Sequence, residues 1–313
     1  MTRRRIFHLV LVFLLAVSNL VITAAAPRPS HPRIVALLST DAAGYREHLE
    51  RFQDRISAPV EAVVLPADRE ALAGRLQADP PDLILALGGS AAGWAAKLDP
   101  PLPVVFSMVY EPAAEGLPAG PRQCGLALKV SPATTLKALQ ALRPGERKLR
   151  LGALHDQKAD GRELAELEGA LQTAGYSLIV QEVPAAGQLG ESLQSLLPRI
   201  DVLWILFEPS LIPGEEELRE NVLRPSMDAK VAVIGLSDGH VQIGALMAVS
   251  VDFRREGEHA ARLAERVLAG EAPAKIGIEP PENVIWSLNL NVAREIGWEV
   301  PPLARKRFER IYP

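Results

Sequence analysis

The sequence predicts an α/β protein with two lobes, each built on a parallel sheet that helices cover on both faces. Short apolar runs, such as residues 83–87 and 104–109, are typical of strands buried on both sides. Segments with apolar residues at helical spacing alternate with these runs, an order that favours parallel sheets. The length of 313 residues suggests about two domains.

Residues 1–26 are predicted to be a signal peptide. Three arginines at positions 3–5 precede an apolar segment, 6–22, and small residues at 23–26 suggest cleavage after Ala25 or Ala26. An uncleaved membrane anchor is the alternative, because the apolar run approaches the length of a span. Export would place the rest of the chain in the periplasm, where its single cysteine, Cys124, has no internal disulfide partner.

The charge of the chain argues against nucleic acid as a partner. The formal net charge is −4, and the leader holds three of the 34 Lys and Arg but none of the 38 Asp and Glu, which leaves about −7. Phosphate backbones favour basic surfaces, so nucleic-acid binding is not expected.

A first series of alternating strands and helices is predicted between residues 33 and 142. Apolar runs give strands at 34–38, 60–65, 83–87, 104–109 and 123–130. Apolar residues at helical spacing, such as Leu72 and Leu76, give helices at about 45–56, 68–78, 91–98 and 132–142. Ser90 is expected to cap the helix at 91–98 with its hydroxyl.

A second alternation follows, and it predicts the second lobe. Strands are expected at 149–154, 176–183, 201–207, 231–236, 246–251 and 284–290. Helices are expected around 164–171, 189–196, 215–223 and 254–269, the third with acidic residues in its first turn. Ligands of such sheets bind beyond the carboxyl ends of the strands, so two facing lobes would enclose a cleft.

Polar residues follow several of these strands and are the candidates for ligand contact. They are Thr40, Gly89, Ser90, Tyr110, Glu111, His155, Asp156, Glu208, Ser237 and Asp238. Backbone amides at Gly89 and Ser90 favour an anion such as a carboxylate. The carboxylates of Glu111, Asp156, Glu208 and Asp238 favour an amine, with Asp238 the strongest candidate. Each group also has an ordinary structural interpretation as a cap, a turn former or a solvated charge.

No cofactor or metal is predicted. The six histidines lack metal-ligand spacing, and Walker A and dinucleotide motifs are missing from the sequence. The four tryptophans, Trp94, Trp204, Trp286 and Trp298, are expected to pack in the core or at the surface, because they lie in or beside apolar segments.

The sequence resembles the substrate-binding proteins of ABC transporters with the type I periplasmic binding fold, in the branch of tryptophan and tyrosine binders. The order and spacing of several segments carry the resemblance: 81–92, 102–112, 149–154, 201–204, 231–238, 244–246, 251–253, Gly257, 264–273, 281–284 and 289–291. The chain departs from the family pattern at Glu111, at His155-Asp156 and at Glu208.

The resemblance implies a crossed chain and a binding function. The first lobe would comprise 33–129 plus 252–272, and the second 130–251 plus 273–313. The protein would be a monomeric, non-enzymatic receptor that closes over an amino acid or another amine-containing molecule and delivers it to a membrane permease. A ligand sensor for a membrane kinase or receptor is the alternative. A less favoured hypothesis is an exported serine hydrolase, because the segment 88–92 approaches a nucleophile elbow around Ser90.

Overall fold

Two sheets organise the chain in the computed structural model, which describes residues 32–65, 68–142, 149–208, 210–212 and 214–313. The first sheet has six strands in the order β2-β1-β3-β4-β5-β11 within the described residues. Its strands are β1 (Ile34–Leu38), β2 (Val60–Val64), β3 (Leu83–Leu87), β4 (Val104–Val109), β5 (Gln123–Ala127) and β11 (Ile278–Glu279). All of its neighbouring strands run parallel.

The second sheet has seven strands in the order β7-β6-β8-β9-β10-β12-β13, counted over the same parts of the chain. They are β6 (Leu151–Asp156), β7 (Leu178–Val183), β8 (Val202–Trp204), β9 (Ala232–Gly235), β10 (Met247–Val251), β12 (Val284–Asn289) and β13 (Arg310–Tyr312). This sheet is parallel except where β12 pairs antiparallel with β10.

Helices cover both sheets. Those with first-lobe packing partners include α1 (Ala43–Arg55), α2 (Arg69–Ala78), α3 (Gly89–Ala95), α10 (Phe253–Leu268) and α11 (Pro273–Ile276). The other helices are α4 (Pro132–Leu142), α5 (Arg162–Thr173), α6 (Leu189–Leu196), α7 (Glu215–Leu218), α8 (Arg224–Asp228), α9 (Asp238–Gln242), α12 (Leu290–Glu295) and α13 (Pro302–Arg305). A π-helical turn, Arg219–Leu223, joins α7 to α8.

The central strands of the first sheet are buried because both of their faces are covered. β1 and β3 are all-apolar, every residue in them is buried, and Ile34 is paired with Leu83. One face packs against α1 and α10, and the other packs against α2 and α3. The alternation of strands and helices along the sequence therefore places helices on both faces of the sheet, as predicted.

Over the part of the chain that the structure describes, the polypeptide passes between the two sheets three times. The first crossing, 128–131, follows β5, and the second lies at Asp252 between β10 and α10. The third crossing, 280–283, follows β11, and the N–H of Asp252 donates to the carbonyl of Asn283 at 3.0 Å. The family resemblance implied that the chain re-enters the second lobe at residue 273. In the structure, β11 (Ile278–Glu279) still pairs with β5 of the first sheet. The return to the second sheet therefore comes after Glu279.

Several local predictions need correction. Helix α3 begins at Gly89, with Gly88 in the capping position at a φ of 88°, so Ser90 is not its N-cap. The hydroxyl of Ser39 accepts the N–H of Ala91 instead, at 2.9 Å. Strand β6 extends to Asp156, and β8 ends at Trp204 rather than at residue 207.

Among the described residues, we find no helix whose length and apolar character would suffice to span a bilayer. The predicted signal peptide lies outside those residues.

Candidate ligand-binding cavity

A cavity of about 530 Å³ lies between the two sheets, beside the first and second crossings. Residues of both lobes and of the crossings line it: Glu47, Tyr110, Leu128, Lys129, Val130, Pro132, Thr135, Glu163, Leu167, Trp204, Leu206, Glu215, Gly235, Leu236, Ser237, Asp238, Gly239, Val249, Ser250, Val251, Asp252, Phe253, Arg254 and Arg310. The strands β4, β8 and β9 end at this cavity, as expected for ligand sites in parallel sheets.

Aromatic side chains form part of the cavity wall. Tyr110 follows β4 of the first lobe, and its ring lies 4.3 Å from the ring of Phe207, which follows β8 of the second lobe. Trp204 ends β8 and is only 6% exposed, and Phe253 begins α10. Trp204 thus packs in the core, as the sequence predicted, while it also borders the cavity.

Glu163 connects this aromatic wall to the second lobe. Its Oε1 accepts the Tyr110 hydroxyl at 3.3 Å and the Phe207 N–H at 3.1 Å. Burial raises the pKa of the Glu163 carboxyl above its usual value, although these hydrogen bonds and Lys129 oppose the change. A cationic group in the cavity would therefore stabilise the ionised form of Glu163.

Asp238 lies in the cavity wall, but its carboxylate already has partners. Arg310 donates to its Oδ2 at 2.7 Å, the Tyr312 hydroxyl donates at 2.6 Å, and Ser287 donates to Oδ1. Burial raises the pKa of Asp238, and the hydrogen bonds outweigh it and keep the pKa below its usual value. Ser237 caps α9 by accepting the N–H of His240 at 3.3 Å.

His155, Asp156 and Glu208 form a network inside the second lobe and are not among the cavity-lining residues. Glu208 lies 2.7 Å from Nδ1 of His155 and accepts the Asp156 N–H at 2.6 Å. Asp156 accepts the Ser210 hydroxyl at 2.5 Å. Because β6 extends through both His155 and Asp156, their side chains are buried in the lobe, where they fix the loop after β8.

Glu111 faces the first crossing rather than the cavity. Its carboxylate lies 3.4 Å from Nζ of Lys129, which also pairs with Glu166 at 2.6 Å. All four acids that suggested an amine ligand therefore have partners within the protein. A role for these four carboxylates in binding an amine stays a prediction.

The predicted anion-binding residues lie elsewhere on the first lobe. Thr40 and Ser90 are exposed, and neither they nor Gly89 line the cavity. A Cβ on Gly89 would collide with the Glu115 carboxylate, 1.9 Å away, so a protein carboxylate already lies against this turn. Ligand contact at Thr40, Gly89 and Ser90 stays a prediction.

Sequence reasoning did not single out several polar and aromatic cavity residues for ligand contact, among them Lys129, Glu163, Arg310 and Trp204. Lys129 lies in the first crossing, Glu163 in the first turn of α5, and Arg310 in the last strand, β13. Trp204 was assigned to packing alone. A cationic residue beside a strand end was a usable signal for Lys129, whereas Arg310 reaches the cavity only through the pairing of β13 with β12.

Comparisons with known proteins show several that this chain resembles. The sequence model of the ABC transporter substrate binding protein family matches residues 66–303. A tyrosine-binding protein of Clostridioides difficile (strain R20291) is 23% identical over 216 residues, 67% of this chain. The match spans only 61% of the length of that relative.

Solved structures show the same fold. A ligand-free, open substrate-binding protein with adhesive properties from Clostridium difficile has a TM-score of 0.75 at 16% identity, over 90% of this chain and 99% of that one. An ABC domain in complex with L-Trp from Streptococcus pneumonia has a TM-score of 0.63 at 18% identity, over 89% and 99% of the two chains. These matches confirm the predicted two-lobed type I periplasmic binding fold. They also place the chain among binding proteins rather than enzymes, so the hydrolase hypothesis for Ser90 is wrong.

Proposed function

Because this chain belongs to the ABC transporter substrate-binding protein family, we propose that it is the periplasmic receptor of an ABC uptake system. Its ligand is an amino acid with an aromatic side chain, held in the cavity between the lobes. The signal peptide at 1–26 exports it, and a membrane permease receives the ligand. The observation that carries the proposal is the inter-lobe cavity, with aromatic residues and both signs of charge in one wall.

The size and lining of the cavity support a small organic ligand. Its volume of about 530 Å³ lies within the range of about 300–1,000 Å³ that is usual for small-molecule sites. Tyr110, Trp204 and Phe253 offer ring surfaces to an aromatic side chain. One relative is named for tyrosine binding and one fold neighbour holds L-Trp, which supports the same ligand class.

Charged groups in the wall support a zwitterion. Burial raises the pKa of the Glu163 carboxyl, and the ligand ammonium is a cation that would favour the ionised carboxylate. Arg254 and Arg310 line the same cavity, where Arg254 pairs with Glu47 at 3.2 Å and Arg310 with Asp238 at 2.7 Å. We assign the remaining N–H groups of the two guanidinium ions to the ligand carboxylate. This assignment replaces the earlier one, in which Asp238 accepted the amine.

Hinge closure is the mechanism we propose for ligand capture. Three chain crossings join the lobes, and ligand contacts made to both lobes select the closed arrangement. Tyr110 and Phe207 already contact each other from opposite lobes beside the first crossing.

The test is calorimetry on the purified protein with L-tyrosine and L-tryptophan and with two truncated analogues. Tyramine lacks the carboxylate, and 3-(4-hydroxyphenyl)propionate lacks the ammonium. We expect both analogues to bind more than tenfold more weakly than L-tyrosine. The absence of binding by every aromatic amino acid would refute the ligand class, and equal binding of the propionate would refute the role of the ammonium.

A matched pair of variants tests Glu163 itself. Glu163→Gln is expected to weaken L-tyrosine about tenfold, the cost of about 1.4 kcal/mol for a lost charged contact, and to leave the propionate unchanged. Glu168→Gln is the control, because Glu168 lies on the same helix, is exposed and does not line the cavity. An equal loss of affinity for L-tyrosine and for the propionate would show that Glu163 does not bind the ammonium and only maintains the structure of the cavity wall.

A further inference from the structure

The third crossing is fastened to helix α10 by a buried carboxylate, away from the ligand cavity. Glu256 is 0% exposed, and its Oε1 accepts the N–H groups of Glu282 and Asn283 at 3.1 and 3.2 Å. Glu256 therefore fixes the path of the chain where it returns to the second sheet.

His259 continues this attachment one turn further along α10. The ring is 1% exposed, and its Nδ1 lies 3.2 Å from Oε2 of Glu256. Its Nε2 lies 2.8 Å from Oε2 of Glu279 and 3.4 Å from Oε1 of Glu282. When Nδ1 donates to Glu256, the Nε2 of a neutral ring presents a lone pair to two carboxylates. Nε2 then either carries a proton that it donates to Glu279, or its lone pair can bind a metal ion in place of that proton.

The surrounding charges favour a divalent cation. Four carboxylates, those of Glu256, Glu271, Glu279 and Glu282, face two guanidinium groups in this cluster. Arg266 holds Oε1 of Glu279 at 2.8 Å, and Arg262 holds Oε2 of Glu282. With a neutral imidazole two negative charges remain, and one divalent ion would neutralise them.

We propose that His259, Glu279 and Glu282 form a site for a divalent transition-metal ion, represented by Zn²⁺, that ties the third crossing to α10. The three donor atoms lie within 4.8 Å of one another. Ligands of one tetrahedral Zn²⁺ lie about 3.4 Å apart when the bonds are about 2.1 Å, so Glu279 needs to move outward by about half an ångström.

The surroundings of His259 are those of a metal-bound histidine. The carboxylate of Glu256 on Nδ1 fixes the ring and directs Nε2 to the ion, the usual arrangement around zinc-bound histidines. Imidazole nitrogen favours zinc over calcium or magnesium. The side chain of Glu282 is 52% exposed, which gives an ion a path from solvent and leaves a fourth position for water. The sequence prediction of no metal relied on spacing between histidines, and the one histidine of this site lies 20 residues from Glu279 along the chain.

The test is a Zn²⁺ titration of the purified protein after removal of metals with a chelator, with a chromophoric chelator as competitor. We expect one Zn²⁺ per chain. Glu282→Gln should weaken the binding at least tenfold, because it removes one anionic ligand from a half-exposed position and leaves Glu256 in place. Glu258→Gln is the control, since Glu258 is the exposed neighbour of His259 on α10 and is expected to change nothing.

Crystals soaked in Zn²⁺ provide a second measurement, which gives the position of the ion. An anomalous peak between Nε2 of His259 and the two carboxylates supports the proposal. A peak elsewhere only, unchanged binding in Glu282→Gln, or no bound Zn²⁺ would overturn it. Amino-acid binding by the metal-free protein is measured alongside, so failure of the metal site and failure of the receptor function are distinguished.

Discussion

The contact between Tyr110 and Glu163 is the most direct link between the lobes that a single substitution can remove. Tyr110→Phe deletes the hydroxyl, whose bond to Glu163 measures 3.3 Å, and keeps the ring that packs on Phe207. Glu163 retains the N–H of Phe207 at 3.1 Å, so the substitution leaves the carboxylate with a partner.

The expected magnitude follows from that geometry. Hydrogen bonds to charged groups contribute about 1.5–3 kcal/mol, and neutral ones about 1 kcal/mol. The length of this bond, 3.3 Å, points to the lower value, about 1 kcal/mol. If the bond forms only when the lobes meet, its loss weakens L-tyrosine binding about fivefold.

Isothermal titration with L-tyrosine measures this change. Tyr176→Phe is the control, because Tyr176 packs only against the core of the second lobe. Tyr110→Ala, which also loses the ring contact, should weaken binding by more than tenfold. Unchanged or tighter binding in Tyr110→Phe would show that the hydroxyl does not stabilise the ligand-bound arrangement.

Two further predictions concern stability. Gly125→Ala places a methyl group 2.3 Å from the Phe106 carbonyl oxygen and should lower the free energy of unfolding, measured in urea, by about 1–3 kcal/mol. Gly74→Ala, in open space on α2, should be neutral or stabilising. Equal free energies of unfolding for the two variants would contradict this steric argument. Burial lowers the pKa of His48 to about 4 from 6.5, so the unfolded chain binds the proton first and stability falls as the pH drops from 6.5 to 4. The free energy of unfolding, measured by urea denaturation, should fall by about 3 kcal/mol over this pH range, and by less in His48→Leu. An identical pH profile in that variant would show that other groups cause the loss.

The central strands were predictable because a strand that is buried on both faces appears in the sequence as a continuous apolar run. β1, β3 and β4 begin and end where their apolar runs do. The short edge strands β11 and β13 have no such runs, since they add only two and three residues to sheets already formed. Their places depend on pairing across long sequence separations.

The site was predicted less completely because side-chain partners are set by the folded chain. Tyr110, Ser237 and Asp238 line the cavity, as expected of residues that follow strands. His155 and Asp156 are buried because β6 ends two residues later than the apolar pattern indicated. Asp238 looked free in sequence, since Arg310 is distant along the chain and meets it only when β13 is in place.

The position of α10 and β11 has a consequence for how the chain acquires its structure. These two elements complete the first lobe, yet they follow the second lobe's strands β6–β10 in the chain. During synthesis the first lobe therefore lacks helix α10 until residues 253–268 have been made. The edge of its sheet at β5 is unpaired until β11, which ends at Glu279, has been made. Such delayed, long-range closure favours slow and late folding, which is compatible with a polypeptide threaded through a membrane before it folds.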